Sequence, residues 1–513
     1  MTLRIAEGAN WPDVYARARS AAPAAFAGDR LRNVVDGRWQ TLGRDQQLVS
    51  CVDGATLATG LWLSEDQAKA AVHQAHLEHE QWREVPLPER MSRVAAAVDA
   101  LTEQRDLLAL LLLWEIGKPW RLACADVDRA LDGVRWYLAE IERMLHGRTP
   151  LHGPVSNIAS WNYPMSVLVH AELVQLLAGN AVIAKTPSQG GSICLTVAHE
   201  LMRQAGLPAT LISGSGQELS DVLVRSPEIG ALAFVGGRTN GVTIASRLVD
   251  TGKRHILEQE GLNTWGIWEF SQWDVLAKHL RKGFEYGKQR CTAYPRYVVQ
   301  RGLVDQFLST YLDVVRSIRF GHPAAVEDGE VGLPELDFGP LISASKAAEL
   351  TGRVSEALRG GGIPLYRGAL DSGRFLPGQD TSAYCAPVCL LAPPGSARLM
   401  HEEPFGPVDT VIVVDTENEL LAQMNASNGA LVASLACDDT DLATRLARDV
   451  RAFKVGINQP RSRGDREEPF GGRGASWKGA FVGGDLLVQA VTEGPAGEQL
   501  YGNFPDYARY PAT

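Results

Sequence analysis

At 513 residues, 45% hydrophobic and 21% charged, the chain has the composition of an ordinary globular protein and is long enough for two or three cores. With 60 acidic against 50 basic residues, a formal charge of -10 and no basic block, it is poorly suited to nucleic acid or an anionic membrane, and a small-molecule partner is expected. The longest apolar run, Leu107 to Trp114, is too short to span a bilayer, and the N-terminus lacks a basic region followed by an apolar stretch. Seven scattered cysteines without zinc-type spacing predict a reduced, cytoplasmic protein without a metal site.

Residues 1–32, rich in Ala and Arg, are expected to form a helical extension. Ser64 and Gln67 have capping-box spacing and should open a helix that runs through Trp82. Long helical patterns follow at 88–116 and 122–144. From Val155 the rhythm changes to short β-type runs at 155–159, 181–185, 209–213, 231–235 and 255–259, alternating with helices, the signature of a parallel sheet with crossover helices. Ligands bind at the carboxyl ends of such strands, where Asn162, Lys185, Gly214 and Gly236 fall. A second α/β stretch begins near Glu258, with helices expected at 307–318 and 346–359 and a strand at 411–414.

Cys291, in Gly287-Lys-Gln-Arg-Cys-Thr-Ala293, follows the acidic stretch Leu257-Glu-Gln-Glu-Gly261. A thiol nucleophile and a carboxylate base from neighbouring segments are what a thioester-forming oxidation of an aldehyde requires. An isolated intracellular Cys is more often a small buried hydrophobe, so the surrounding motifs decide the matter.

Those motifs run in order: Glu115-Ile-Gly-Lys-Pro119, Trp161-Asn-Tyr-Pro164, Lys185-Thr-Pro-Ser-Gln189, Phe234-Val-Gly-Gly237, Leu257-Glu258, Gln289-Arg-Cys-Thr-Ala293, Glu402-Glu-Pro-Phe-Gly-Pro407 and Pro469-Phe-Gly-Gly472. The chain resembles the aldehyde dehydrogenase superfamily from roughly Val34 to Gly479. Its motifs lie nearest the non-phosphorylating glyceraldehyde-3-phosphate and succinate-semialdehyde-like NAD(P)-dependent branch. The resemblance implies an α/β fold: a Rossmann-like parallel-sheet cofactor domain (33–143 and 157–257), an α/β catalytic domain (258–470), and a reduced oligomerisation element with a tail (144–156 and 485–513).

The resemblance also implies roles. Cys291 is the nucleophile, Glu258 activates the hydrolytic water, and Asn162 with the Cys291 backbone N–H holds the oxyanion. Ser160, Trp161, Lys185, Ser188, Gly216, Gly236, Gly237, Gly241, Glu403 and Phe405 would contact NADP or NAD. Lys185 suits the adenine ribose or a phosphate, and Glu403 the nicotinamide ribose. Ser188 stands where relatives often carry a Glu that repels a 2'-phosphate, so NADP is permitted. Arg129 and Arg290 could grip an anionic aldehyde, since a guanidinium fork matches a carboxylate or phosphate.

Two departures stand out. The usual Glu-Leu-Gly-Gly-Lys reads Glu258-Gln-Glu-Gly-Leu262, which makes Glu260 a second candidate base and suggests an altered loop, because a glycine often marks positive φ or a close approach of the backbone. Only Met144–Ser160 stands where relatives have a long β-hairpin, although Leu487–Glu493 still resembles that hairpin's partner strand; a homodimer would need a non-standard interface. Two other readings stay open, an acylating enzyme that passes the thioester to another acceptor and a non-catalytic dinucleotide-binding member.

Overall fold

The computed structural model describes residues 3–158, 160–427, 429–462, 466–500 and 502. Its frame is two open sheets joined by a common core. The first has the order Ala209–Ile212, Val182–Lys185, Val155–Ile158, Ala231–Val235, Arg254–Glu258, Trp477–Gly479, with all pairs parallel except the last. The five parallel strands match the expected β-type runs to within a residue at each end; Ala159, the last of one expected strand, lies outside the described residues. Strand order reverses on either side of Val155–Ile158, and such a switch point opens a crevice at the strands' carboxyl ends. The strands Val182–Lys185 and Ala209–Ile212 are apolar on both faces because helix Ser192–Gln204 covers one and helix Glu65–Trp82 the other.

The second sheet has the order Ile363–Arg367, Val388–Leu391, Val408–Val414, Arg296–Gln300, Thr264–Ile267, Val432–Ala436, Lys454–Ile457, parallel but for its first pair. Helices Val304–Arg316 and Ala344–Arg359 form close to where periodicity places them. The strand Arg254–Glu258 ends the parallel run of the first sheet, and after five residues Thr264 opens a strand in the middle of the second. Glu258 and the 259–263 loop are therefore at the junction.

The Ser64–Gln67 capping box forms with both reciprocal bonds and opens helix Glu65–Trp82. The expected helix 88–116 is two, Leu87–Glu103 and Arg105–Ile116, broken at Gln104, whose φ of -99° and ψ of 13° leave the helical region. The N-terminal extension is also less helical than expected. Only Trp11–Ala21 is α-helical, while Arg4–Ile5 pairs antiparallel with Ala325–Val326 and Phe26–Ala27 pairs with Arg30–Leu31. Trp114 Nε1 donates to Ala9 O at 2.8 Å and Trp11 Nε1 to Leu57 O at 3.1 Å, so tertiary contacts that no local pattern reports fix this segment.

The segment expected to be a C-terminal strand is mostly helix, Asp485–Ala490, followed by the two-residue strand Thr492–Glu493, which pairs with Thr149–Pro150 of the same chain. What remains of the hairpin connection is thus closed within the chain. The tail stretch 501–506 lies outside the described residues apart from Gly502. No helix among the described residues is long and apolar enough to cross a membrane.

Candidate active site

Cys291 follows a tight turn, Glu285–Lys288, in which Tyr286 (φ 60°), Gly287 (φ 58°) and Lys288 (φ 60°) are all left-handed. Two of these are not glycine, and such residues cost about 1–3 kcal/mol each unless their surroundings hold them. The surroundings do. Lys288 Nζ, fully buried, donates to Asp409 Oδ1 at 2.7 Å, to Tyr294 O at 3.0 Å and to Tyr297 Oη at 3.1 Å. Tyr286 Oη donates to Ile116 O at 3.1 Å. The buried Gln289 side chain donates to Tyr286 O and Pro340 O and accepts from Ile342 N.

Downstream, Asn263 Nδ2 donates to Cys291 O at 2.7 Å and Ala293 O at 2.8 Å, while its Oδ1 accepts from Leu431 N and Val432 N. The nucleophile segment is pinned on both sides of the cysteine. Its thiol donates to Glu258 Oε1, with Sγ 2.9 Å from the oxygen. The thiol and carboxylate singled out in the sequence, 33 residues apart, are therefore in contact.

Asn162 is buried, its Nδ2 donates to Gln289 O at 3.0 Å, and its Oδ1 accepts from Ser160 Oγ at 2.7 Å. Its backbone carbonyl accepts from the buried Lys118 Nζ at 2.7 Å, and that ammonium also pairs with Asp126 at 3.0 Å. Glu115, from the same motif as Lys118, accepts from Ile193 N and Cys194 N and so caps helix Ser192–Gln204. Trp161 meets the Phe405 ring edge-on at 5.8 Å, and Phe405 itself is left-handed at φ 50°.

Towards the cofactor crevice, Lys185 is buried and its Nζ donates to Thr186 O; burial lowers its ammonium to about 8. Ser188 is exposed beyond it. Gly216 opens helix Gly216–Arg225, and Gly236 and Gly237 precede helix Arg238–Leu248. Of these glycines Gly241 is the one hemmed in by another segment, since a Cβ there would come within 2.5 Å of Gln259 Cδ. Glu403 is buried and its Oε1 has no hydrogen-bond partner; burial first, and then the charge of Glu260, hold its carboxyl well above the usual range. Lys185 Nζ, with one backbone acceptor, and Glu403 Oε1, with none, both keep capacity for a further polar partner.

The two arginines part company. Arg290 Nη2 donates to Lys282 O and Gly283 O at the end of helix Trp273–Gly283, whereas Arg129 is exposed on helix Trp120–Met144, close enough to Tyr163 for its charge to act on that hydroxyl. Position 260 has no left-handed backbone, so the glutamate there carries none of the conformational strain that a lost glycine suggested. Leu262 is buried. Sequence reasoning missed Asn263, Gln289, Asp409 and Lys118 as positioning residues. The signal available for Asn263 was an amide at the head of an apolar strand.

Residues 39–493 match the profile of the Aldehyde dehydrogenase family. The mitochondrial succinate-semialdehyde dehydrogenase of Rattus norvegicus is 25% identical over 480 residues, 89% of this chain and 88% of its own length. The α-ketoglutarate semialdehyde dehydrogenase of Haloferax volcanii is 27% identical over 466 residues, 86% and 93% of the two chains. An NADP-dependent glyceraldehyde-3-phosphate dehydrogenase from Bacillus halodurans, solved with NADP, has a TM-score of 0.81 at 27% identity, covering 90% of this chain and 97% of its own. With the profile spanning most of its length and a thiol touching a carboxylate where two parallel sheets meet, this chain belongs to the aldehyde dehydrogenase family.

Proposed function

We propose that the protein oxidises an aldehyde to a carboxylic acid through a thioester on Cys291, and the observation that carries this reading is the 2.9 Å contact between Cys291 Sγ and Glu258 Oε1. Glu258 takes the thiol proton as sulfur attacks the carbonyl carbon. The developing oxyanion is met by the Cys291 backbone N–H and by the Asn162 amide, which has a second N–H beyond the one given to Gln289 O. A donor placed at such an oxyanion contributes about 3–4 kcal/mol. The dinucleotide, when bound, supplies the acceptor for the hydride lost as the adduct becomes a thioester. Glu258, once it has released the thiol proton to solvent, deprotonates the water that hydrolyses the thioester, and returns that proton to the leaving sulfur to restore Cys291.

Ser160, Trp161, Lys185, Ser188, Gly216, Gly236, Gly237, Gly241, Glu403 and Phe405 hold the cofactor in this reading. NADP is favoured over NAD because Ser188 offers no carboxylate to repel a 2'-phosphate, and the Bacillus halodurans relative is named as NADP-dependent. Arg129, exposed and with no ion pair among the described residues, would meet an anionic tail, a reading that the semialdehyde names of two relatives support. Arg290, held by two backbone carbonyls, serves first to fix the turn before Cys291. Seven free thiols suit a reducing, cytoplasmic setting.

The test is a stopped-flow assay with NADP and with NAD against aldehydes of equal length that end in a carboxylate, a phosphate or a methyl group. Steady turnover favouring the anionic tails is the expected result. A burst equal to the enzyme concentration and then silence would show thioester formation without hydrolysis and favour transfer to another acceptor. Cofactor binding with no reduction at all would overturn the catalytic reading.

A further inference from the structure

Glu260 lies on the loop between strands Arg254–Glu258 and Thr264–Ile267, where its backbone oxygen accepts from Ser476 Oγ at 2.7 Å and Gln259 N donates to Ser476 O at 2.9 Å. The backbone is fixed from one side while the partly buried side chain makes no ion pair among the described residues. Three cations face it, Arg238 from the helix after Gly237 and Lys346 and Arg353 from helix Ala344–Arg359. Two of them are already taken, because Lys346 Nζ lies 3.0 Å from Glu349 Oε2 and Arg353 Nη2 lies 3.1 Å from Glu402 Oε2. Glu403 is buried with an unsatisfied Oε1, and after burial the charge of Glu260 weighs most on its carboxyl, opposed by Lys346.

Glu258 touches Cys291 Sγ and a Cβ at Gly261 would lie 3.2 Å from Cys291 O, so Glu260 stands in the chain between two residues that border the nucleophile. A hydride acceptor has to sit beside that nucleophile, within reach of the carbon bonded to Sγ. The oxidised nicotinamide ring carries one more positive charge than the reduced ring, so a carboxylate beside it binds the two forms unequally. With Lys346 and Arg353 paired to Glu349 and Glu402, Arg238 is the remaining cation facing Glu260, and the carboxylate acts on that difference against this one counter-charge.

We propose that Glu260 is a charge-selective contact for the nicotinamide end of the cofactor, tightening the oxidised form relative to the reduced form and so easing release of the reduced product. This rests on the dinucleotide-binding reading above. It assigns to position 260 an electrostatic role in cofactor turnover, separate from the proton transfers of Glu258.

Titrate wild type, Glu260→Gln and Glu260→Asp at pH 8.5 with oxidised cofactor, reduced cofactor and ADP-ribose, following tryptophan fluorescence. The expected result is that Glu260→Gln lowers the ratio of Kd(reduced) to Kd(oxidised) about tenfold, the effect of one charge near a partly buried ring, with ADP-ribose affinity unchanged and Glu260→Asp close to wild type. Retained ADP-ribose binding shows that the variant is folded. Should Glu260→Gln fail that control, Glu260→Gly removes the same charge at a position of ordinary backbone. A ratio within twofold of wild type overturns the proposal, whether both forms weaken together, as a ribose hydrogen bond would produce, or neither changes. Failure of the wild-type protein to bind any of the three ligands would refute the dinucleotide reading itself.

Discussion

Asn263 offers the sharpest test of how the nucleophile is held. It is fully buried and its amide makes four bonds: to the carbonyls of Cys291 and Ala293 at 2.7 and 2.8 Å, and from the N–H groups of Leu431 and Val432 at 3.2 and 3.1 Å. Asn263→Leu keeps the branched outline of the side chain, with somewhat bulkier ends, and removes every bond. A buried hydrogen bond contributes about 1 kcal/mol net, and an orphaned partner costs about 1–3 kcal/mol, so the loss is expected to be at least about 4 kcal/mol, with part offset by the added apolar surface. The assay is urea unfolding at unchanged m, with a lowered midpoint, alongside the rate of Cys291 alkylation by iodoacetamide and kcat for aldehyde oxidation. The loosened Cys291 carbonyl should let the thiol drift from Glu258, so kcat should fall at least tenfold while ADP-ribose affinity holds. Unfolding within 1 kcal/mol of wild type together with unchanged kcat would refute the claim that this amide pins the site.

Cys291→Ala should abolish oxidation and leave cofactor binding intact, measured by fluorescence titration, whereas Glu258→Gln should slow deacylation more than hydride transfer and so expose a burst in stopped flow. Lys288→Met should destabilise by about 3–5 kcal/mol, because it strands the buried Asp409 carboxylate beside Tyr311, and adding Asp409→Leu should recover most of that loss in urea midpoint. Lys185, lowered by burial to about 8, is protonated below that pH and neutral above it. The Kd for 2',5'-ADP should therefore rise about fivefold from pH 8 to 9, and Lys185→Gln should flatten the profile. In the free protein the same depressed ammonium costs stability below pH 8, and the cost is relieved between 8 and its unfolded value of 10.5, so stability attributable to Lys185 rises with pH across that window.

The parts of the fold that could be read from residue order are those whose cause is local. Strand Val182–Lys185 is mostly apolar because both faces are covered, the Ser64–Gln67 box closes over three residues, and the carboxyl ends of the strands follow from the strands themselves. The helical pattern at 88–116 gave the right element but not its break at Gln104, and the resemblance that placed a strand at Leu487–Glu493 holds only for Thr492–Glu493, the residues before it being helix Asp485–Ala490. The site divides the same way. Cys291 and Glu258 are visible as chemical types in sequence, but nothing within the Gly287–Ala293 stretch announces that Tyr286 and Lys288 are left-handed, because the ion pair that holds Lys288 there ends at Asp409, 121 positions away.

Residue 260 shows the converse error. Absence of an expected glycine predicts strain only if the backbone there needs positive φ, and this backbone does not, so the substitution changes charge without changing conformation. In the proposal above, a carboxylate on a loop of ordinary backbone, facing Arg238 from one helix and Lys346 and Arg353 from another, acts through its field. The effect of Glu260 therefore belongs to the charge of whatever occupies the crevice, and it should vanish for a ligand such as ADP-ribose that lacks the ring.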